Sequence, residues 1–167
     1  MDITAAMVKA LRDKTGAGIM DAKRALVEVD GDEAGAMELL REKGLASAAK
    51  RAGRSTSEGV IESYIHSGNR VGAIVQLSSE TDFVARTDEF TQLAKELAMQ
   101  IAAMNPKYVD RESVPEDAED VPNQDLLMEQ AYIRDPGQTI GDLVKNLAAK
   151  TGENVHVSRF VRYGLGE

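Results

Sequence analysis

Val60-Ile61-Glu62-Ser63-Tyr64-Ile65-His66, followed by Ser67-Gly68-Asn69-Arg70 and then Val71-Gly72-Ala73-Ile74-Val75-Gln76-Leu77, decides the fold. The first seven residues read with the two-residue period of a half-buried strand. The next four carry turn chemistry, with Gly and Asn where positive φ is needed. Val71 to Leu77 is the returning strand, so nearly continuous in apolar residues that burial on both faces is expected. A β-hairpin in the middle of a chain whose other periodic segments are helical predicts an α+β fold.

Upstream of the hairpin the period is 3.6. Thr4 is placed to cap a helix striped by Met7, Val8 and Leu11, and Gly16 stands where a left-handed residue would end it. A second helix is expected from about Ile19 to Val29, with Ala22, Ala25, Leu26 and Val29 inward. Asp30-Gly31 turns the chain into a third, with Ala36, Leu39 and Leu40 on one side and Gly44 after it. Residues 1–48 thus form a three-helix bundle. Residues 49–58, basic and without period, are expected to be a linker that begins with some helix, and 59–167 the core.

Downstream, Thr87 with Asp88 and Glu89 opens a long helix striped by Phe90, Leu93, Ala94, Leu97, Ala98, Ile101 and Met104, stopped by Asn105-Pro106. Residues 110–124 are an acidic, proline-containing connection. A short helix is expected from Asp125 to Ile133, and Thr139 with Asp142 is a capping box for another, striped by Leu143, Val144 and Leu147. The β-rich run Asn154 to Tyr163 is expected to join the hairpin as a third antiparallel strand.

Composition narrows the function. Hydrophobic residues make up 43% of the 167, aromatics only 4%, and Trp and Cys are absent. Without cysteine there is no disulfide, thiolate nucleophile or sulfur-ligated metal. A formal net charge of -8 would repel a phosphate backbone, so direct nucleic-acid binding is disfavoured. No apolar run is long enough to span a membrane, and the charged N-terminus does not read as a signal peptide. A cytoplasmic protein with neither cofactor nor metal is the expectation.

The segment that stands out chemically is Ser78-Ser79-Glu80-Thr81-Asp82-Phe83-Val84-Ala85-Arg86, where a strand has ended and a helix has not begun. Phe83 is one of three phenylalanines, set where little can bury it, and reads as a tip that a rigid scaffold presents to a partner. Its alternative is a staple fixing the entry to the long helix, as Asp82 could be an N-cap. Gly16-Ala17-Gly18 is not a dinucleotide fingerprint, since the third glycine is missing and a helix precedes it. His66 and His156 are far apart and form no triad or metal pattern. A hydrolase built on paired carboxylates is an enzyme rival, but no pair stands out among 28 acids and no G-x-S-x-G occurs.

Gly18-Ile19-Met20-Asp21-Ala22-Lys23-Arg24-Ala25-Leu26, with Gly31 to Ala36 and Leu39-Leu40, resembles a ubiquitin-associated (UBA-like) three-helix domain, whose loop after the first helix is an apolar contact surface. A helical binding adaptor is therefore a second rival. The chain as a whole resembles the bacterial elongation factor Ts family. The resemblance is carried by Ile3-Thr4-Ala5, Val8-Lys9, Leu11-Arg12, Thr15-Gly16-Ala17-Gly18, Met20-Asp21, Lys23, Gly59-Val60-Ile61, Thr81 to Arg86, Gly152-Glu153-Asn154 and Arg159-Phe160.

That resemblance implies a guanine nucleotide exchange factor for elongation factor Tu, not an enzyme. It implies a bundle that docks through Arg12, Ile19, Met20 and Lys23, and a core that delivers Asp82 and Phe83 to loosen Mg²⁺ and GDP. It also matches His66 to a contact position of longer members. Those members resemble two cores in tandem with an inserted helical hairpin. This chain has one core, and short members pair two chains, which implies a homodimer with the sheet at its two-fold interface.

Overall fold

The computed structural model describes residues 2–167. The Thr4 hydroxyl accepts from the Met7 amide at 3.3 Å and starts α1, Ala5–Thr15, which Gly16 ends at φ +71°, where a side chain would be strained. α2 spans Ile19–Glu28. Asp30 and Gly31, both at positive φ, turn the chain into α3, Glu33–Arg51, whose N-cap Asp32 accepts from the Ala34 and Gly35 amides. Val8, Leu11, Ala22, Ala25, Leu26 and Ala36 close a small core of their own among these helices.

α3 runs on past Gly44, where the sequence reading ends it. Gly44 is no cap: a Cβ placed on it would lie 3.1 Å from Cβ of Ala149, so its bare backbone lets a second helix approach closely. The last turns of α3 therefore have packing to hold them helical, and Ala48 belongs to the main core. Residues 52–57 then lead to β1.

β1, Glu58–Ile65, and β2, Val71–Ser79, form the expected hairpin in antiparallel register from Glu58↔Ser79 to Ile65↔Gly72. One turn of helix, α4, Asp82–Ala85, precedes the long α5, Asp88–Met104. After an irregular connection come β3, Ala131–Tyr132, and β4, Asp135–Thr139, a two-stranded hairpin. α6, Ile140–Thr151, opens on the Thr139/Asp142 capping box. β5, His156–Gly164, pairs antiparallel with β2, giving sheet order β1-β2-β5. The main core lies between this sheet and α5 and α6. Phe90, Leu97 and Ile101 of α5 meet Ala73, Val75 and Leu77 of β2 there, with Val144 and Leu147 behind.

Two further expectations fail. The helix from Asp125 to Ile133 is instead two 3-10 turns, Asn123–Asp125 and Leu127–Glu129, followed by β3. Its backbone groups are paired elsewhere: Leu127 N–H donates to the Tyr108 carbonyl, Met128 N–H to that of Val109, and the buried Gln100 amide bonds both the Ala131 carbonyl and the Ile133 N–H. Nor is β2 covered on both faces. Ala73, Val75 and Leu77 point inward, but Ile74 is exposed on the other side.

Candidate functional site

Two consecutive threonine caps build the segment around Phe83. Thr81 accepts from the Val84 amide and starts α4; Thr87 accepts from the Phe90 amide and starts α5. Ala85 is buried and Val84 packs against the core, which fixes the outward direction of the residues between. Phe83 is 82% exposed, while Phe90 is fully buried and Phe160 packs on the core. Single exposed apolar residues are common on protein surfaces; what distinguishes Phe83 is that two capped helix starts fix the turn on which its ring is held in water. That exposure excludes the staple alternative. Asp82 sits beside it with its carboxylate 3.0 Å from the Arg86 guanidinium, an exposed i,i+4 pair that contributes little to stability and leaves the acid available.

A second apolar patch lies on the bundle. Ile19 and Met20, in the first turn of α2, are 60% and 64% exposed. Lys23, one turn along, shares their face and has no ion pair among the described residues, and the exposed Val27 continues the stripe by another turn. Val27 escaped the sequence reading, although its i+4 spacing from Lys23 was the available signal. Arg12 is exposed in the last turn of α1, with only a loose 3.9 Å approach to Asp13. The structure thus groups Ile19, Met20 and Lys23 on one helix and Asp82 with Phe83 on one turn.

His66 is not part of either group. It follows Ile65 at the closed end of the hairpin, whereas Phe83 follows the other end of β2, whose nine residues separate the two by roughly 25 Å. Its Nδ1 lies 3.0 Å from the Tyr64 hydroxyl. No group of three or more His, Cys, Asp or Glu side chains among the described residues could hold a metal ion. No helix among them is long and apolar enough to cross a membrane.

The third exposed apolar surface is the outer face of the sheet. Strand register places Ile61, Gln76 and Arg159 in one row, Ser63, Ile74 and Val161 in the next, and Ile65, Gly72 and Tyr163 in the third. Ile61 is 70% and Tyr163 75% exposed. Gly72 makes room for Ile65, whose Cδ1 lies 2.5 Å from where a Cβ would sit.

A family model described as elongation factor TS matches residues 36–124. Elongation factor Ts of Thermoanaerobacter sp. (strain X514) is 46% identical to the chain over 195 aligned positions, covering 99% of this chain and 96% of that protein. The chain belongs to the elongation factor Ts family. Elongation factor Ts of Thermotoga neapolitana is similar at 45% identity, with 100% and 99% of the two chains covered. That of Carboxydothermus hydrogenoformans is 46% identical, over 99% and 90%. These alignments run longer than the 167 residues of this family member, so the relatives carry residues within the matched span that it lacks.

Proposed function

We propose that this protein is the guanine nucleotide exchange factor of elongation factor Tu in translation elongation, working in the cytoplasm without cofactor or chemistry of its own. The observation that carries the reading is Phe83, an aromatic ring exposed on a doubly capped turn. In this reading the bundle, residues 1–48, docks on the nucleotide-binding domain of the partner through Arg12, Ile19, Met20 and Lys23. The linker 49–58 joins it to the core, 59–167, which presents Asp82 and Phe83 as a wedge. Bound GDP depends on Mg²⁺ and on oriented phosphate-binding loops for much of its affinity. A wedge that displaces those loops accelerates GDP release. Linkage then requires the factor to bind nucleotide-free partner better than the GDP form, by the same free energy with which nucleotide weakens the factor.

The net charge of -8 supports a protein partner over nucleic acid. The bare outer face of the sheet supports a homodimer, two copies covering Ile61, Ile65, Ile74, Val161 and Tyr163 about a two-fold axis. His66, at the far end of the hairpin, would touch the partner at a point separate from the wedge.

The test is the release rate of a fluorescent GDP analogue from elongation factor Tu, with wild-type protein and with Phe83→Ala. Burying a ring this exposed is worth about 2–4 kcal/mol, so the variant should lose roughly 30- to 1000-fold of the acceleration while keeping its melting temperature, because Phe83 buries almost nothing in the free chain. Failure of the folded wild type to accelerate release would overturn the proposal and leave an adaptor that binds through the α2 face.

A further inference from the structure

The turn that carries Phe83 is held from behind by a part of the chain about seventy residues away, and this clasp is reciprocal. The Glu153 carboxylate accepts from the main-chain N–H of Glu80 at 3.1 Å and of Thr81 at 3.0 Å, and from the Thr81 hydroxyl at 2.5 Å. In return the Glu80 carboxylate accepts from the Asn154 N–H at 2.8 Å. The Asn154 side chain, buried, donates to the carbonyls of Ala52 and Arg54 at 3.0 and 2.7 Å, and the Arg54 guanidinium approaches Glu80 at 3.8 Å. One node therefore ties together the stretch leading from the bundle, the start of the Phe83 turn, and the end of α6.

The chemistry of the node exceeds what closing a loop requires. Hydrogen bonds from main-chain N–H groups to a carboxylate are about twice as strong as neutral ones. Two of these on one glutamate, with a third bond from the Thr81 hydroxyl, fix both the backbone and the rotamer of Thr81. That residue is the N-cap of α4, and the same Oγ1 that donates to Glu153 accepts from the Val84 amide. Phe83 stands between those two points, so the direction of its ring is set by a side chain that never meets it.

Resting on the exchange-factor reading above, we propose that Glu153, with Asn154 beside it, is a positioning residue for exchange: it holds the Thr81–Ala85 turn in the orientation that delivers Phe83, and fixes that turn relative to the stretch that carries the bundle. A wedge works only if it reaches the partner already rigid, because a mobile ring would order itself at the expense of the displacement it should cause.

Two measurements on the full-length chain decide it. The first is amide hydrogen exchange of the free protein. Glu153→Ala should speed exchange at Glu80, Thr81 and Val84 by about ten- to a hundredfold, the span of charge-assisted hydrogen bonds lost, while α5 keeps its protection. The second is nucleotide release from elongation factor Tu as a function of factor concentration. The maximal rate should fall at least tenfold, with the half-saturating concentration, set largely by the bundle, moving less than threefold. Glu153→Gln keeps one acceptor oxygen and should recover part of both effects. Thr81→Val, which leaves the main-chain bonds in place, serves if Glu153→Ala does not fold.

Unchanged protection at the turn, or an unchanged maximal rate despite lost protection, would overturn the proposal, as would loss of protection throughout the chain. A wild type that releases no nucleotide would instead refute the exchange reading, and the first measurement would still decide whether Glu153 orders the turn.

Discussion

Replacing Ile61 by Asp on the outer sheet face should separate a dimer into monomers. Ile61, Ile65, Ile74, Val161, Tyr163 and Leu165 are 39–75% exposed, so side chains of about 150–200 Å² each, weighted by that exposure, offer roughly 600 Å² per protomer, about 1,200 Å² for a pair, the lower edge of stable interfaces. An interface of that size leaves little in reserve. Ile61 is 70% exposed, so losing its burial costs about 2 kcal/mol. Two-fold symmetry counts the loss twice, for a dissociation constant weakened about a thousandfold before the repulsion of two buried carboxylates is added. Sedimentation equilibrium from nanomolar to high micromolar concentration reads this directly. Lys145→Asp, on the exposed face of α6, is the control and should leave the constant unchanged. Because Ile61 makes no core contact, the variant should keep its circular dichroism. A wild type that sediments as a monomer at micromolar concentration, or an Ile61→Asp constant equal to wild type, would refute the reasoning.

Other consequences follow from the core and its caps. Thr139→Ala, which removes the hydroxyl bonded to the Asp142 amide at 3.1 Å, should cost about 1 kcal/mol in thermal or urea unfolding. In the same box, the Thr139 main-chain N–H holds the Asp142 carboxyl below its ordinary value. A carboxyl depressed by folding stabilises above its unfolded value and loses that contribution as pH falls through the folded one. The stability difference between wild type and Asp142→Asn should accordingly be present at pH 7 and shrink towards zero on acidification below about pH 4. At Gly44, Ala should be nearly neutral, since a helix-propensity gain of about 1 kcal/mol offsets the 3.1 Å approach to Ala149. Leu there should destabilise by about 1–3 kcal/mol and, by tilting α3 away from α6, lower the maximal rate of nucleotide release.

What the sequence discloses is local. Thr4, Thr87 and Thr139 each cap the helix assigned to them, because a hydroxyl bonding an amide two or three residues on needs no distant partner. The hairpin is legible for the same reason, its turn marked by Gly68 and Asn69, both at positive φ. Phe83 could be singled out because neither a strand nor a helix period assigns it a buried neighbour. The failures are non-local. Gly44 carries a helix terminator's identity but a packing role, decided by Ala149 more than a hundred residues away. Leu126 to Ile133 holds helix-compatible residues whose amides are claimed by Tyr108, Val109 and Gln100. Ile74 reads as core because it is apolar in a nearly continuous apolar run. Which side of a sheet is covered depends on where the helices pack, and they all lie on the other face.

Glu153 and Asn154 show the same limit at the functional site, and they change how the adaptor alternative should be tested. α6 touches both halves of the binding surface: in its last turn it packs against α3 of the bundle through Ala149 and Gly44, and just beyond its end Glu153 grips the Phe83 turn. The α2 face and the wedge are thus set on one frame rather than strung on a flexible tether. A fragment ending at residue 50 would strip α3 of that frame, exposing Ala48, which belongs to the main core, so weak binding by such a fragment could reflect fraying as easily as a missing wedge. Full-length Phe83→Ala leaves the frame intact and removes only the ring. A variant that still binds the partner but no longer releases nucleotide would separate docking from exchange, which no truncation of this fold can do cleanly.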